Sequence, residues 1–165
     1  MSQILFTEEL VSYIRQLLWD ALETALPLKV AQVGDISYYD TTPEELKKIV
    51  PGLFIRPDEG VDVALRTSNF LYNIVYRFRI VFVFKYVESD DVVKLKMQKI
   101  TEIADILFNN TKLTGITTLT NCRVMHCIPT RIEYAPPEDG FLAILGGQLT
   151  SGAINLEVST GSGVA

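Results

Sequence analysis

Phe70-Leu71-Tyr72-Asn73-Ile74-Val75-Tyr76-Arg77-Phe78-Arg79-Ile80-Val81-Phe82-Val83-Phe84-Lys85-Tyr86 decides the fold. Every even-numbered position in this stretch is large and apolar or aromatic, while Asn73, Arg77, Arg79 and Lys85 stand among the odd ones. Side chains alternate across a β-strand, so this register makes one apolar face and one mostly polar face. As a single strand it would run roughly 55 Å at about 3.3 Å per residue. Strands are usually only about 5–6 residues long. The expectation is a strand that continues past the body of its own subunit and is covered by neighbours.

Upstream, Val61, Val63 and Leu65 alternate, and Thr67-Ser68-Asn69 is turn-like, which predicts a long β-hairpin. Leu53 to Arg56 gives a brief strand between Pro51 and Pro57, and residues 28–33 another that Gly34 closes. Thr42-Pro43-Glu44-Glu45 opens a helix of about two turns that Pro51 stops. Residues 7–25 read as an amphipathic helix with Leu10, Ile14, Leu17, Ala21 and Ala25 on one face, ended by Pro27. Trp19 breaks its pattern, falling on the polar side with Ser12, Gln16 and Glu23.

Downstream, Ser89-Asp90-Asp91 caps a second helix over 90–109. Its apolar arc, including Val92, Val93, Met97, Ile100, Ile103, Ala104, Leu107 and Phe108, is wider than the roughly 100° stripe that packing on one sheet needs. The expectation is burial on two sides, with Lys96 inside the arc snorkelling or finding a partner. Cys122, Val124, His126, Ile128, Ile132 and Tyr134 alternate with Arg123, Arg131 and Glu133, and Pro129 marks an edge or a bulge. Residues 136–140 read as a loop, 141–145 and 154–158 as strands, and 160–165 as a flexible tail. The sum is an α+β domain: a mostly antiparallel sheet with a long hairpin and two main helices packed on it.

A length of 165 residues fits one domain, 1–165. Hydrophobic residues at 48% and charged residues at 21% suit a folded protein. A net charge of −5 gives no reason to expect free nucleic acid as a ligand. No apolar run reaches the roughly 18 residues of a membrane span, so no membrane partner is expected. The start, Met1 to Glu9, lacks a basic segment and a small-residue cleavage site, which makes a cytoplasm-like compartment the default.

The search for chemistry yields little. Cys122 and Cys127 sit an odd number of residues apart, on opposite faces of a regular strand, and read as free thiols. His126, the one histidine, lies beside them, but a zinc site needs about four converging ligands and no second cluster exists. No cofactor, metal or catalytic residue is assigned, and the chain does not read as an enzyme. The acidic pairs Glu8/Glu9, Glu44/Glu45 and Asp90/Asp91 suit helix starts, and Glu138/Asp139 lies in the loop. Arg77, Arg79 and Lys85 share one face of the long strand. They guard the β-rich Ile80–Phe84 run against aggregation, pair with acids of an adjoining subunit, or contact passing DNA. Trp19 is covered by its own chain or anchors a subunit contact, where tryptophan is enriched.

Taken together, the order of elements resembles that of the tail terminator proteins of tailed bacteriophages. The resemblance runs through the helix ending near Pro27, Pro51-Gly52-Leu53-Phe54-Ile55-Arg56-Pro57, the Tyr72–Tyr86 strand, the helix opened by Asp90-Asp91, and Ile154-Asn155-Leu156-Glu157-Val158. It is a pattern of elements across most of the chain and has no catalytic signature. It implies a subunit assembled in the host cytoplasm into a homohexameric ring of the virion. Such a ring caps the head-proximal end of the tail tube and docks neck or connector proteins, and DNA only passes through its hole. On that reading the subunit contact includes Trp19, Arg77, Arg79, Lys85, Phe82 and Phe84. The alternatives are another neck protein (a stopper) or a tail tube protein, then a small cytoplasmic enzyme or a ligand-binding domain.

Overall fold

Alternation carries Tyr72–Lys85 into one 14-residue strand. The structure, a computed structural model, describes residues 10–14, 16–18, 29–30, 51–58, 60–65, 72–87, 91–111, 122–146 and 148–162. Among these, β1 (Lys29–Val30), β2 (Gly52–Pro57), β3 (Asp62–Leu65), β4 (Tyr72–Lys85), β5 (Cys122–Glu133) and β6 (Leu149–Ser162) share a single sheet. The helical segments are α1 (residues 10–14 and 16–18), α2 (Val92–Phe108) and α3 (Glu138–Leu145). The fold is therefore a mix of helix and mostly antiparallel sheet, with β1–β2 the parallel pairing. The expected helix after Thr42, the turn at 67–69 and Trp19 lie outside the described residues.

So long a strand finds partners because its two edges are filled differently. β6 runs along the whole of one edge, from Asn73 opposite Gly161 to Lys85 opposite Leu149. The other edge is shared end to end: β2 pairs with Phe78 to Val83, and β3 with Tyr72 to Val75. The sheet order is β1-β2-β4-β6-β5, with β3 beside β4.

The apolar face of β4 is covered by its own chain, contrary to the expectation from length. None of its even residues from Ile74 to Phe84 is more than 5% exposed. They form one core with Leu10, Val11, Ile14 and Leu18 of α1 and Ile100, Ile103, Ala104 and Leu107 of α2. Two helices laid on one face do what neighbouring subunits were expected to do. Helix α2 lies close because β6 carries Gly152 beneath it. A Cβ at that position would overlap the Ile100 side chain and meet the Glu133 carbonyl oxygen at 3.4 Å. Asp91 caps α2, its Oδ1 accepting from the Lys94 amide at 3.2 Å.

Three elements differ from the sequence reading. β5 has register shifts between Val124 and His126 and between Pro129 and Arg131, so its alternation slips twice. Cys127 and Pro129 are buried in consequence, while His126 and Ile128 are only half-buried. The first slip also puts Cys122 and Cys127, opposite Ser162 and Val158, on the same face. Cys127 is a free, buried thiol. Residues 141–145 are helical, in α3, and not a strand. Glu138 and Asp139 supply the acidic first turn, and Gly146, at φ 75°, ends the helix. Leu142 is fully buried and Ile144 is 84% exposed, a division that i, i+2 neighbours on a strand could not show. Lastly, residues 160–162 belong to β6, and Thr160 Oγ1 donates to the Ile74 carbonyl at 3.2 Å.

Candidate functional site: the charged face of the sheet

The register that sends the even residues of β4 into the core sends Arg77 and Arg79 to the other face. Arg56 of β2 lies directly opposite Arg79, and Asn155 of β6 flanks it on the other side. Arg79 is the hub of this face. Its Nε donates to Glu138 Oε1 at 2.5 Å, and its Nη2 to Glu138 Oε2 at 2.9 Å and Glu133 Oε2 at 2.6 Å. Nη1 donates to Asn155 Oδ1 at 2.9 Å. Arg131 Nε reaches the second oxygen of Glu133 at 3.1 Å.

The electrostatics follow from these contacts. The Glu138 hydrogen bonds outweigh burial and raise the Arg79 guanidinium above its ordinary value. Burial pushes the Glu138 carboxyl up, but the Arg79 hydrogen bonds, a backbone amide and the Arg79 charge bring it below its ordinary value. An ionised, doubly bonded carboxylate is held in place and has no proton to donate.

Arg77 is bound to Asp62 of β3, with Glu157 Oε2 3.8 Å from its Nε. Hydrogen bonding to Asp62 and the Asp62 charge raise it. His126 faces Glu157 at 3.5 Å. Helix α3 is tied down by Asp139, which accepts from the Ser151 amide at 2.8 Å and the Ser151 hydroxyl at 2.7 Å and pairs with Lys96. Lys96 thus finds the partner its place in the arc demanded. Arg56, Pro57, Asp58, Val61, Arg77 and Arg79 border an open groove of about 580 Å³ on this face.

The expected contact residues divide. Phe82 and Phe84 are 2% exposed, with ring centroids 5.3 Å apart, and Lys99 lies 5.6 Å from the Phe84 centroid. They are core residues, which corrects their placement at a subunit contact. Arg77 and Arg79 are engaged within their own chain, and Lys85 is exposed at the end of β4. Glu133, Glu138 and Asn155 escaped the sequence reading as partners of Arg79. The one hint is that Glu133 shares the Arg131 register; Glu138, after Pro136-Pro137, reads as part of a loop.

Among the described residues, no group of three or more His, Cys, Asp and Glu side chains is placed to hold a metal ion. Burial pushes the Cys127 thiol up to about 12, which suits packing and not nucleophilic work. No helix among the described residues is long and apolar enough to cross a membrane. No protein-family model matches the chain, and no curated protein is significantly similar to it.

Proposed function

We propose that the chain is a structural assembly subunit of the tail-terminator kind. It forms a closed ring, homohexameric by the resemblance, that caps the head-proximal end of a phage tail tube and joins it to the neck within the virion. DNA passes through the ring without being held, and no chemistry is performed.

One observation carries the reading. The outer flank of α2 exposes Val93 at 63%, Met97 at 48% and Phe108 at 50%, while the inner flank is buried. Scattered apolar residues on a surface need no explanation, but a row along one helix marks a contact site. The wide arc is thus filled on one side by the chain's own sheet and on the other by a neighbour. A ring further needs a head-to-tail contact that closes.

Electron microscopy of the purified protein, alone and mixed with tail tube protein, tests this. Discrete rings that sit at tube ends are the expected result. Open-ended cylinders of the protein alone would identify a tube subunit, and single particles with no affinity for tubes would remove the reading altogether.

A further inference from the structure

Strand β6 outruns one of its neighbours. β4 follows it to Leu149, opposite Lys85, but the pairing with β5 stops at Ala153, opposite Glu133. From Leu149 to Gly152, that edge of β6 has no strand beside it among the described residues, yet all four residues are buried. Helix α3, the connection from β5 to β6, packs against β6 there. Asp139 Oδ1 accepts from the Ser151 amide at 2.8 Å, in place of the carbonyl that a further strand would supply.

The helix is held by charge at its first turn. Glu138 bonds Arg79 on the odd face of the sheet, while Asp139 bonds Ser151 and pairs with Lys96 of α2. Beyond that turn, Leu142 is fully buried but lies outside the main core, Gly140 and Ala143 are exposed, and Ile144 is 84% exposed. Both flanks of α3 are built to turn. Tyr134-Ala135 is a bend after β5, and Gly146 (φ 75°) and Gln148 (φ 55°) lead into β6. A glutamine at positive φ is strained. Gln148 itself stays with the sheet, its carbonyl accepting from the Tyr86 amide at 3.0 Å. A segment with an ionic latch and few buried apolar anchors opens at less cost than the whole molecule.

We infer that α3 is a guard over the β6 edge, latched by Glu138 and Asp139, which opens as one unit while the sheet and its main core stay folded. Closed, it hides the outward backbone groups of Leu149–Gly152. Open, it leaves them as a template for strand pairing. This opening needs no ring and no neighbour.

Native-state hydrogen exchange of the full-length chain at neutral pH, read to single amides by fragmentation mass spectrometry, tests it. In the wild type, the Leu142 and Ser151 amides should share one protection factor, at least roughly tenfold below that of the Phe78 and Ile80 amides in β4. Ile74→Val separates local from global opening. Ile74 is 5% exposed in the main core and lies roughly 30 Å along β4 from Val83, the partner of Ser151. The variant should lower protection at Phe78 and Ile80 roughly three- to tenfold. Leu142 and Ser151 should not change, because the core is intact whether α3 is shut or open. Glu138→Gln loosens the latch and should lower Leu142 and Ser151 at least roughly fivefold. An equal loss at all four amides in Ile74→Val would mean that α3 opens only with the whole molecule, and would overturn the inference. So would a Ser151 amide as protected as Ile80 while Leu142 exchanges fast, since the helix would then fray without baring the edge. No change at Leu142 and Ser151 in Glu138→Gln would overturn the latch.

Discussion

Truncating Arg79 would strand Glu138, a residue only 6% exposed, without its cation. Removing one member of a buried ion pair costs more than the pair itself contributes, because the remaining charge stays desolvated. Arg79→Ala should therefore destabilise the fold by about 2–3 kcal/mol in urea unfolding, below the fully buried case because the Arg79 side chain is 24% exposed. The pH dependence has a definite sign. Net lowering of the Glu138 carboxyl in the folded state, where Arg79 outweighs burial, means its contribution is complete above the ordinary carboxylate value of about 4.3. That contribution is lost as the pH falls through the folded value. Acid unfolding curves should accordingly be shallower for Glu138→Gln than for wild type, and identical slopes would contradict this. Cys127, fully buried and with its thiol pushed up to about 12 by that burial, should resist iodoacetamide at pH 8 until denaturant is added. Peptide mass mapping reads this directly. At this scale the sequence was only partly legible. Alternation separated Arg77 and Arg79 from the core, but their acidic partners come from β3, β5, β6 and α3, and no local pattern announces contacts across such distances in the chain.

Helix α2 and strand β6 meet at Gly152, where Ile100 occupies the space a side chain would need. Gly152→Ala should cost about 1–3 kcal/mol by overpacking. Ile100→Ala added to it should recover part of that loss, a non-additivity that denaturant titration of the double variant measures. Strands and helices with long, clean periodicity were readable from the residues alone: β4, α2 and most of β5. Pro129 announced an irregularity that the register shift between Pro129 and Arg131 shows. Nothing in the residues announced the earlier slip after Val124, which exchanged His126 for Cys127 on the core face. The run at 141–145 was too short for period alone to separate helix from strand. Of β6 only the middle, 154–158, was readable, because Thr150, Ser151, Ser159 and Thr160 at its ends carry no apolar alternation. They are buried because β6 lies between β4 and β5.

For the whole molecule, the length of β4 proved a poor guide to self-association, because α1 and α2 cover its apolar face within one chain. The apolar surface that α2 leaves exposed is its outer flank, with Val93, Met97 and Phe108. Met97→Glu together with Phe108→Glu should shift the protein toward single chains without altering its circular dichroism, since both side chains are about half exposed. Static light scattering on the purified wild-type chain over a wide concentration range tests the central claim most directly. The account predicts one discrete mass that is a small whole multiple of 18.5 kDa and stops growing with concentration. A mass that stays at 18.5 kDa throughout, or one that climbs without limit, would contradict it.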